Sequence, residues 1–243
     1  MKGKKDTMDD KRLKSLQEFE EIINYKFSDK QLLNTALTHS SYAHGQDDLK
    51  PYNERLEFLG DSILSMIISF HLFNRLKDVS EGQMTRIRAN IVCEKSLYIT
   101  AKKLRIGEYI YLSKGEENTG GRKRVSILAD AVEALIAAIY LDGGMKKTED
   151  FVLSFMKESI ESSIKNRTFN DYKSFLQEYI QKYNMGTIEY RLLSEKGPDH
   201  SKEFQMAVYL SGKLIGKGVG KSKKDAQQSA AKNAITSLGV TNE

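Results

Sequence analysis

The 243-residue sequence contains a single cysteine, Cys93, and no tryptophan. One cysteine excludes a disulfide framework and a cysteine-based metal site within the chain, and it fits a reducing compartment. No apolar run approaches the roughly 18 residues that a membrane span needs, and the charged residues 1–6 do not resemble a secretory signal. These absences predict a cytoplasmic protein without a membrane partner.

The overall composition is ordinary. Hydrophobic residues make up 40% of the chain and charged residues 29%, as in typical soluble proteins. The length is enough for one large domain or two smaller ones with a sizeable core. A formal net charge of +5 favours a polyanionic partner, but only modestly.

The most informative segment is residues 53–62, NERLEFLGDS, which continues into an apolar stretch up to Phe70. This pattern predicts one helix that is buried on most sides. Glu57 and Asp61 are four residues apart and therefore lie on the same face of that helix. A charge in apolar surroundings must be paired or must coordinate a metal. On an ordinary amphipathic helix the same two residues would simply be solvated.

A second acidic pair changes that balance. Asp130 and Glu133 are the only charges in residues 127–141, and they also lie on one helical face. Two such helices predict an acidic cluster where they meet. Four carboxylates without a nearby histidine or cysteine favour Mg²⁺ or Mn²⁺ over zinc.

These segments resemble the signature motifs of the bacterial ribonuclease III family. The first motif is residues 53–62, the second is residues 127–144, and residues 81–89 between them also fit. The resemblance implies an endonuclease that cuts double-stranded RNA into products with 5′-phosphate and 3′-hydroxyl ends, in processing of ribosomal RNA precursors and other structured transcripts. It assigns the four carboxylates as ligands of the catalytic metal, with Asp61 and Glu133 as catalytic residues. All four are present.

The resemblance also implies a homodimer. Family members insert the aromatic residue that corresponds to Phe58 into a socket on the partner subunit. We therefore expect Phe58 at the dimer interface, together with Glu54, which lies on the same side of the helix as Asp61. From its spacing alone, Phe58 could also be an ordinary core residue.

The rest of the first 165 residues also has helical patterns. Helices are predicted with a core face from Leu13 to Ile23, from a capping box at residues 28–31 to His39, twice within residues 81–105, and from Thr148 to about Lys165. Residues 114–124 are predicted to form a basic, glycine-rich loop, and Gly143 and Gly144 to end the second acidic helix. His39 has no histidine or cysteine at ligand spacing, so a structural or hydrogen-bonding role is expected.

The pattern changes after a polar linker at residues 166–170. A helix over residues 171–183, expected to pack Tyr183 inward, is followed by three alternating strands and a last helix that begins near Ser222. This α-β-β-β-α order resembles a double-stranded RNA-binding domain. The predicted architecture is therefore an all-α endonuclease domain, residues 1–165, and a small α+β RNA-binding domain, residues 171–243.

The RNA-binding residues are predicted in three groups. Ser174, Gln177, Glu178 and Gln181 form one helical stripe suited to 2′-hydroxyl and base-edge contacts in a minor groove. His200, Ser201 and Lys202 belong to a loop that would reach a second minor groove. Lys221, Lys223 and Lys224 precede or begin the last helix, where phosphate is favoured. Three lysines at such a place could also be an ordinary solvated face.

Two other functions remain open. One is an RNA-binding protein whose helical domain only dimerises, which the loss of any of the four carboxylates would favour. The other is a metal-dependent hydrolase of small phosphate esters, which would have no use for residues 170–243. Neither is favoured by the residues present.

Overall fold

The computed structural model describes residues 8–44, 51–77, 79–170, 172–198 and 201–240. Contacts divide the chain into two compact units after residue 164. Each unit has a hydrophobic core of its own.

The first unit is helical. Its elements are α1 (Asp10–Ile23), α2 (Lys30–Ala36), α3 (Ser40–His44), α4 (Glu54–Arg75), α5 (Glu81–Val92), α6 (Glu94–Lys103), α7 (Ile106–Tyr109), α8 (Lys114–Asn118), a 3-10 turn (Gly121–Lys123), α9 (Val125–Phe155) and the start of α10 (Lys157–Asn170). This confirms the predicted all-α first part.

Helices α4 and α9 form the centre of the first unit and touch through their backbones. A Cβ atom added to Gly60 of α4 would lie only 1.9 Å from the carbonyl oxygen of Glu133 in α9. Around this contact α9 is almost entirely buried, from Ile127 to Ile139, except at its acidic positions. The absence of a side chain at Gly60 therefore sets how closely the two acid-bearing helices approach.

Helix α1 is fastened to this unit by a buried arginine. The Arg12 side chain donates hydrogen bonds to Asn34 Oδ1 at 2.7 Å and to the carbonyl oxygens of Tyr109 at 2.6 Å and Leu37 at 3.1 Å. Its guanidinium also lies 3.7 Å from the centre of the Tyr111 ring. Burial lowers the pKa of Arg12 to about 10, so the side chain is still charged at neutral pH. A buried charge needs such a set of partners.

The predicted end of the second helix is wrong. Helix α2 ends at Ala36, because the following backbone pairs with Tyr111 instead. The Tyr111 N–H donates to the carbonyl oxygen of Leu37 at 2.8 Å, and the His39 N–H donates to the carbonyl oxygen of Tyr111 at 3.0 Å. His39 therefore lies in an extended connection and not on a helix.

The predicted basic loop at residues 114–124 is also partly helical, since it contains α8 and the 3-10 turn. The hydroxyl oxygen of Ser113 caps α8 by accepting a hydrogen bond from the Glu116 N–H at 3.2 Å. This serine cap was missed in the sequence, where the glycines dominated the pattern.

The last helix of the first part does not begin at Thr148 as predicted. Helix α9 continues to Phe155 and changes direction at Gly144, whose φ is 77°. The break at this glycine agrees with the prediction, but the chain resumes a helix at once. Helix α10 then extends to Asn170, through the predicted linker at residues 166–170. The functional domain boundaries at 165 and 171 stay a prediction.

The sequence predicts no apolar segment as long as a membrane span, but α4 is long and apolar enough to be one. Within the described residues, it is the helix whose length and hydropathy would suffice, yet the core helix of a soluble protein passes the same test. Its inner side packs in the core through residues such as Leu64 and Ile68. Only 39% of its apolar window is buried, so α4 also has an exposed apolar side.

The second unit has the predicted α-β-β-β-α order. Its elements are α11 (Tyr172–Lys182), β1 (Ile188–Lys196), β2 (Glu203–Leu210), β3 (Lys213–Gly220) and α12 (Lys223–Ser237). The strands form an antiparallel sheet in the order β1-β2-β3. Leu176 and Ile180 of α11 share a core with Met206 and Val208 of β2 and with the alanine face of α12. Tyr183, predicted to pack inward, is instead 56% exposed, because it follows the end of α11.

Candidate functional site

Backbone hydrogen bonds join the start of α4 to the connection that contains His39. The Asn53 N–H donates to the carbonyl oxygen of Thr38 at 2.9 Å, and the Asn53 carbonyl oxygen accepts from the Glu57 N–H at 2.8 Å. Asn53 is buried. The first turn of α4, which carries Glu54 and Glu57, is thereby held by backbone contacts at its base.

The structure brings the four predicted carboxylates together beside the α4–α9 contact. We call Glu57, Asp61, Asp130 and Glu133 the acidic cluster. Burial raises the pKa of Glu133 to about 8, with further contributions from Asp61, Glu57 and Asp130. Burial also raises the pKa of Glu57, and the charges of Asp130, Glu54 and Asp61 raise it further. Charges from both helices therefore act on Glu133 and on Glu57.

Two further acids surround the acidic cluster. Glu54, the first residue of α4, adds to the raised pKa of Glu57. Glu94, the first residue of α6, is the charge that adds to the effect of burial in raising the pKa of Asp130. The sequence gives no signal for Glu94, because its proximity to Asp130 depends on how α6 packs against α9.

The acidic cluster fits a hard divalent cation by its donor chemistry. All its ligating atoms are carboxylate oxygens, which Mg²⁺ and Mn²⁺ prefer. Among the described residues no three acidic, imidazole or thiol side chains stand close enough to hold one ion jointly. Carboxylates of like charge repel one another, and a bound divalent ion would offset that repulsion. The backbone contact at Gly60 and Glu133 already fixes the two helices.

Phe58 lies at the surface, so the interpretation as a core residue is wrong. Its side chain is 80% exposed, next to the acidic cluster. Met66, Phe70 and Phe73 are also more than half exposed along the same helix. Together these residues form an apolar stripe of a kind that usually marks an interaction surface.

The RNA-binding candidates of α11 and α12 are accessible within the second unit. Gln177, Glu178 and Gln181 are exposed on α11, and Ser174 is half-buried on the same stripe. Lys221, Lys223 and Lys224 are exposed around the start of α12. Ser222 caps that helix: its Oγ accepts from the Asp225 N–H at 3.1 Å and donates to the Asp225 carboxylate at 2.7 Å.

The loop candidates are less uniform. Ser201 is exposed, whereas Lys202 is half-buried and its Nζ lies 3.0 Å from the Glu195 carboxylate. His200 lies outside the described residues. If Lys202 binds an RNA phosphate, its ammonium group would contact both that phosphate and the Glu195 carboxylate.

Two family models match the chain. The "Ribonuclease-III-like" model matches residues 29–160, and the "Double-stranded RNA binding motif" model matches residues 172–238. Ribonuclease 3 of Clostridium kluyveri is 51% identical over 222 residues, which cover 91% of each chain. The chain belongs to the ribonuclease III family. The resemblance found in the sequence is thereby confirmed.

Other relatives agree with this assignment. Ribonuclease 3 of Caldanaerobacter subterraneus is 49% identical over 221 residues, covering 91% of this chain and 97% of the relative. A solved nuclease domain of ribonuclease III from Campylobacter jejuni is 38% identical, with a TM-score of 0.56, and covers 60% of this chain and 99% of that domain. That domain is described as flexible in a region involved in dimer formation.

Membership in the ribonuclease III family makes the chain an endoribonuclease, and the double-stranded RNA-binding motif makes duplex RNA its partner. The family implies a divalent-metal requirement in general. The acidic cluster is the group of residues in the first unit whose chemistry suits that requirement.

Proposed function

We propose that the chain is a Mg²⁺-dependent endoribonuclease that hydrolyses double-stranded RNA and leaves 5′-phosphate and 3′-hydroxyl ends. The observation that supports this most is that burial and the charges of Asp61, Glu57 and Asp130 together raise the pKa of Glu133. Mn²⁺ should replace Mg²⁺, since both prefer oxygen ligands. We propose that the enzyme acts in the cytoplasm and that its substrates are ribosomal RNA precursors and other structured transcripts.

In this proposal the acidic cluster holds the metal, and Asp61 and Glu133 are the catalytic residues. A bound divalent ion would supply an activated water molecule and would neutralise charge on the phosphodiester. Glu133 keeps a proton readily while only negative charges surround it, because its pKa is about 8. The positive charge of an ion would favour the ionised carboxylate and so release that proton.

A direct experiment incubates the full chain with a long RNA duplex, with Mg²⁺ or with EDTA. We expect cleavage only with the metal, and 5′ ends that accept a new phosphate only after phosphatase treatment. Single-stranded RNA of the same sequence is the control. Binding of the duplex without cleavage at any Mg²⁺ or Mn²⁺ concentration would favour the RNA-binding protein that only dimerises.

We further propose that the active form is a homodimer that buries the apolar stripe of α4, with Phe58 inside the interface and Glu54 at its edge, where the carboxylate stays open to substrate. Phe58→Ala should weaken the dimer about 30-fold or more, because a buried aromatic anchor contributes about 2 kcal/mol or more to an interface. Sedimentation over a concentration series measures this change.

Tyr183→Ala is a suitable control for the loss of an exposed aromatic ring. Tyr183 is 56% exposed and lies outside α4, so its removal should not change the dissociation constant. If Phe58→Ala and Tyr183→Ala have the same dimer affinity as the unmodified chain, the interface lies elsewhere.

For the second unit we propose that Lys221, Lys223 and Lys224 neutralise phosphates. Lys223→Ala should therefore lower the slope of log affinity against log salt by about 0.9, if the coefficient for duplex DNA applies to duplex RNA. The loss should be similar for all duplex sequences, because phosphate contacts carry no sequence information. Filter binding at several salt concentrations gives the slope.

Gln177→Ala is the matched comparison on α11. An uncharged side chain that contacts a minor groove should lower affinity by a similar factor at every salt concentration. Equal slopes for the unmodified chain and Lys223→Ala would contradict the phosphate role of Lys223.

A further inference from the structure

His39 is half-buried between the first turns of α4 and α8, and the ring is locked at one nitrogen. Its Nδ1 lies 2.9 Å from the hydroxyl oxygen of Ser41 and accepts a hydrogen bond from the Ser41 N–H at 3.2 Å. The same hydroxyl oxygen accepts from the Ser113 N–H at 3.1 Å. The two serines therefore hold the ring in one orientation.

These hydrogen bonds also determine the tautomer. Because Nδ1 accepts from a backbone N–H, the proton of the neutral ring must be on Nε2. Burial lowers the pKa of His39, with Arg124 adding to this effect and the charges of Glu116 and Glu54 opposing it. The ring is thus neutral at physiological pH and presents a single N–H donor.

Within the described part of the chain, Nε2 of His39 has no hydrogen-bond partner. Two carboxylates act on the ring, from Glu54 and from Glu116. Glu116 already pairs with Arg124. Glu54 is exposed, and no ion pair of it occurs among the described residues. The two residues are close in the structure, because the Asn53 N–H, next to Glu54, donates to the carbonyl oxygen of Thr38, next to His39, at 2.9 Å. An N–H donor and a carboxylate acceptor without partners among the described residues therefore lie near each other at the start of α4.

This pair suits a hydroxyl group better than a phosphate. A hydroxyl oxygen can accept from Nε2–H while its proton is donated to a carboxylate, so both partners are satisfied at once. A phosphate would be repelled by the carboxylate and gains only one neutral hydrogen bond. On a duplex RNA substrate, the hydroxyl that projects from the backbone is the 2′-hydroxyl, which distinguishes RNA from DNA.

We propose that His39 Nε2–H and the Glu54 carboxylate together bind a 2′-hydroxyl of the substrate strand beside the acidic cluster. The proposal rests on the proposed function and adds a specificity device inside the first unit, separate from the RNA-binding stripe of α11. The same pair would reject a DNA strand, because both groups would lose their partner when the hydroxyl is absent.

The test compares chemically modified duplexes with the full chain. Single 2′-deoxy nucleotides are placed one at a time around the cleaved bond, and kcat/KM is measured with Mg²⁺. At one position we expect a loss of about tenfold, the value of a hydrogen bond of about 1.4 kcal/mol. A series without any sensitive position near the cleaved bond would overturn the proposal, whatever the variants do.

His39→Ala identifies the partner of that position. It should lower kcat/KM about tenfold on unmodified RNA and should show no further loss on the sensitive 2′-deoxy duplex. At positions whose 2′-hydroxyl contacts α11, a 2′-deoxy substitution should lower kcat/KM of this variant as much as it does for the unmodified chain. His39→Gln, which can still present an N–H donor, should recover part of the loss at the sensitive position.

His71→Gln is the matched control, since His71 is another half-buried histidine of the first unit. In this variant, the 2′-deoxy substitution at the sensitive position should lower kcat/KM by the same factor as in the unmodified chain. If His39→Ala and His39→Gln lower the rates on all duplexes by the same factor and keep the sensitive position, His39 is only structural and the proposal is wrong. If the unmodified chain cleaves no duplex at all, the proposed function itself fails, which is a different result.

Discussion

Glu133→Gln is expected to lower the rate of duplex cleavage by at least about a hundredfold, because even an outer partner of a metal ligand contributes about 10- to 100-fold. The substitution keeps the size of the side chain and removes its charge at the point where Glu57, Asp61 and Asp130 act together. The fold and RNA binding by the second unit should be unchanged. Single-turnover cleavage, repeated at high Mg²⁺, measures the loss and any rescue through metal affinity.

The same variant has a second, independent readout in stability. The pKa of Glu133 is about 8 in the folded chain, above the ordinary value of 4.5. The folded chain therefore binds this proton more tightly, and the associated stability is complete below about pH 4.5 and is lost as the pH rises through about 8. With EDTA, urea unfolding should show this loss for the unmodified chain and a smaller one for Glu133→Gln.

Glu149→Gln provides the control on the same helix, since Glu149 lies in α9 beyond the break at Gly144. It should cleave duplex RNA at the unmodified rate. Normal cleavage by Glu133→Gln would contradict its role as a metal ligand. An unchanged pH dependence of unfolding in that variant would show that other groups are responsible for it.

Gly60→Ala is expected to have the second largest effect. The new Cβ would meet the Glu133 carbonyl oxygen at 1.9 Å, and this neighbour is backbone that cannot rotate away. The two helices would have to separate by about one ångström or more, which costs about 1–3 kcal/mol of folding free energy. A displacement of this size at reacting groups can also cost about a hundredfold in rate.

Gly82→Ala is the matched control, since a Cβ at this glycine of α5 would meet no atom within 4 Å. In a helix, alanine is more favourable than glycine by up to about 1 kcal/mol, so this variant should be as stable as the unmodified chain or slightly more so. Urea unfolding and cleavage assays on both variants separate the two cases. Normal stability of Gly60→Ala would mean that the helices can move apart freely.

Local patterns predicted most of the secondary structure. The last helix begins at Ser222 as predicted, with this serine as its N-cap, and the apolar periodicity around residues 53–70 predicted α4. Where prediction failed, a tertiary contact replaced a local one. Tyr111 pairs with the backbone of Leu37 and His39 and so shortens α2, which no property of residues 30–39 indicates.

The sequence predicts an acidic cluster where the two acidic helices meet, but it does not show what brings these helices together. The assembly of the cluster depends on the close approach at Gly60, and a glycine within a helix has several possible explanations in a sequence. Glu94 and the locked ring of His39 were missed for a similar reason. Glu94 of α6 acts on Asp130, and Ser113 helps to hold Ser41 beside His39. These residues are distant in the chain and become neighbours only on folding.

The buried Arg12 has a consequence for how this enzyme can be shortened. The nuclease family model begins at residue 29, whereas the physical unit includes α1. A fragment that starts at residue 29 would remove the Arg12 hydrogen bonds to the carbonyl oxygens of Tyr109 and Leu37, although the Leu37 oxygen would still accept from the Tyr111 N–H. It would also uncover the core surface that Leu16 and Phe19 now fill. The segment that the family model matches is therefore smaller than the compact unit of the structure, and gene fragments are better begun ahead of the Asp9 cap of α1.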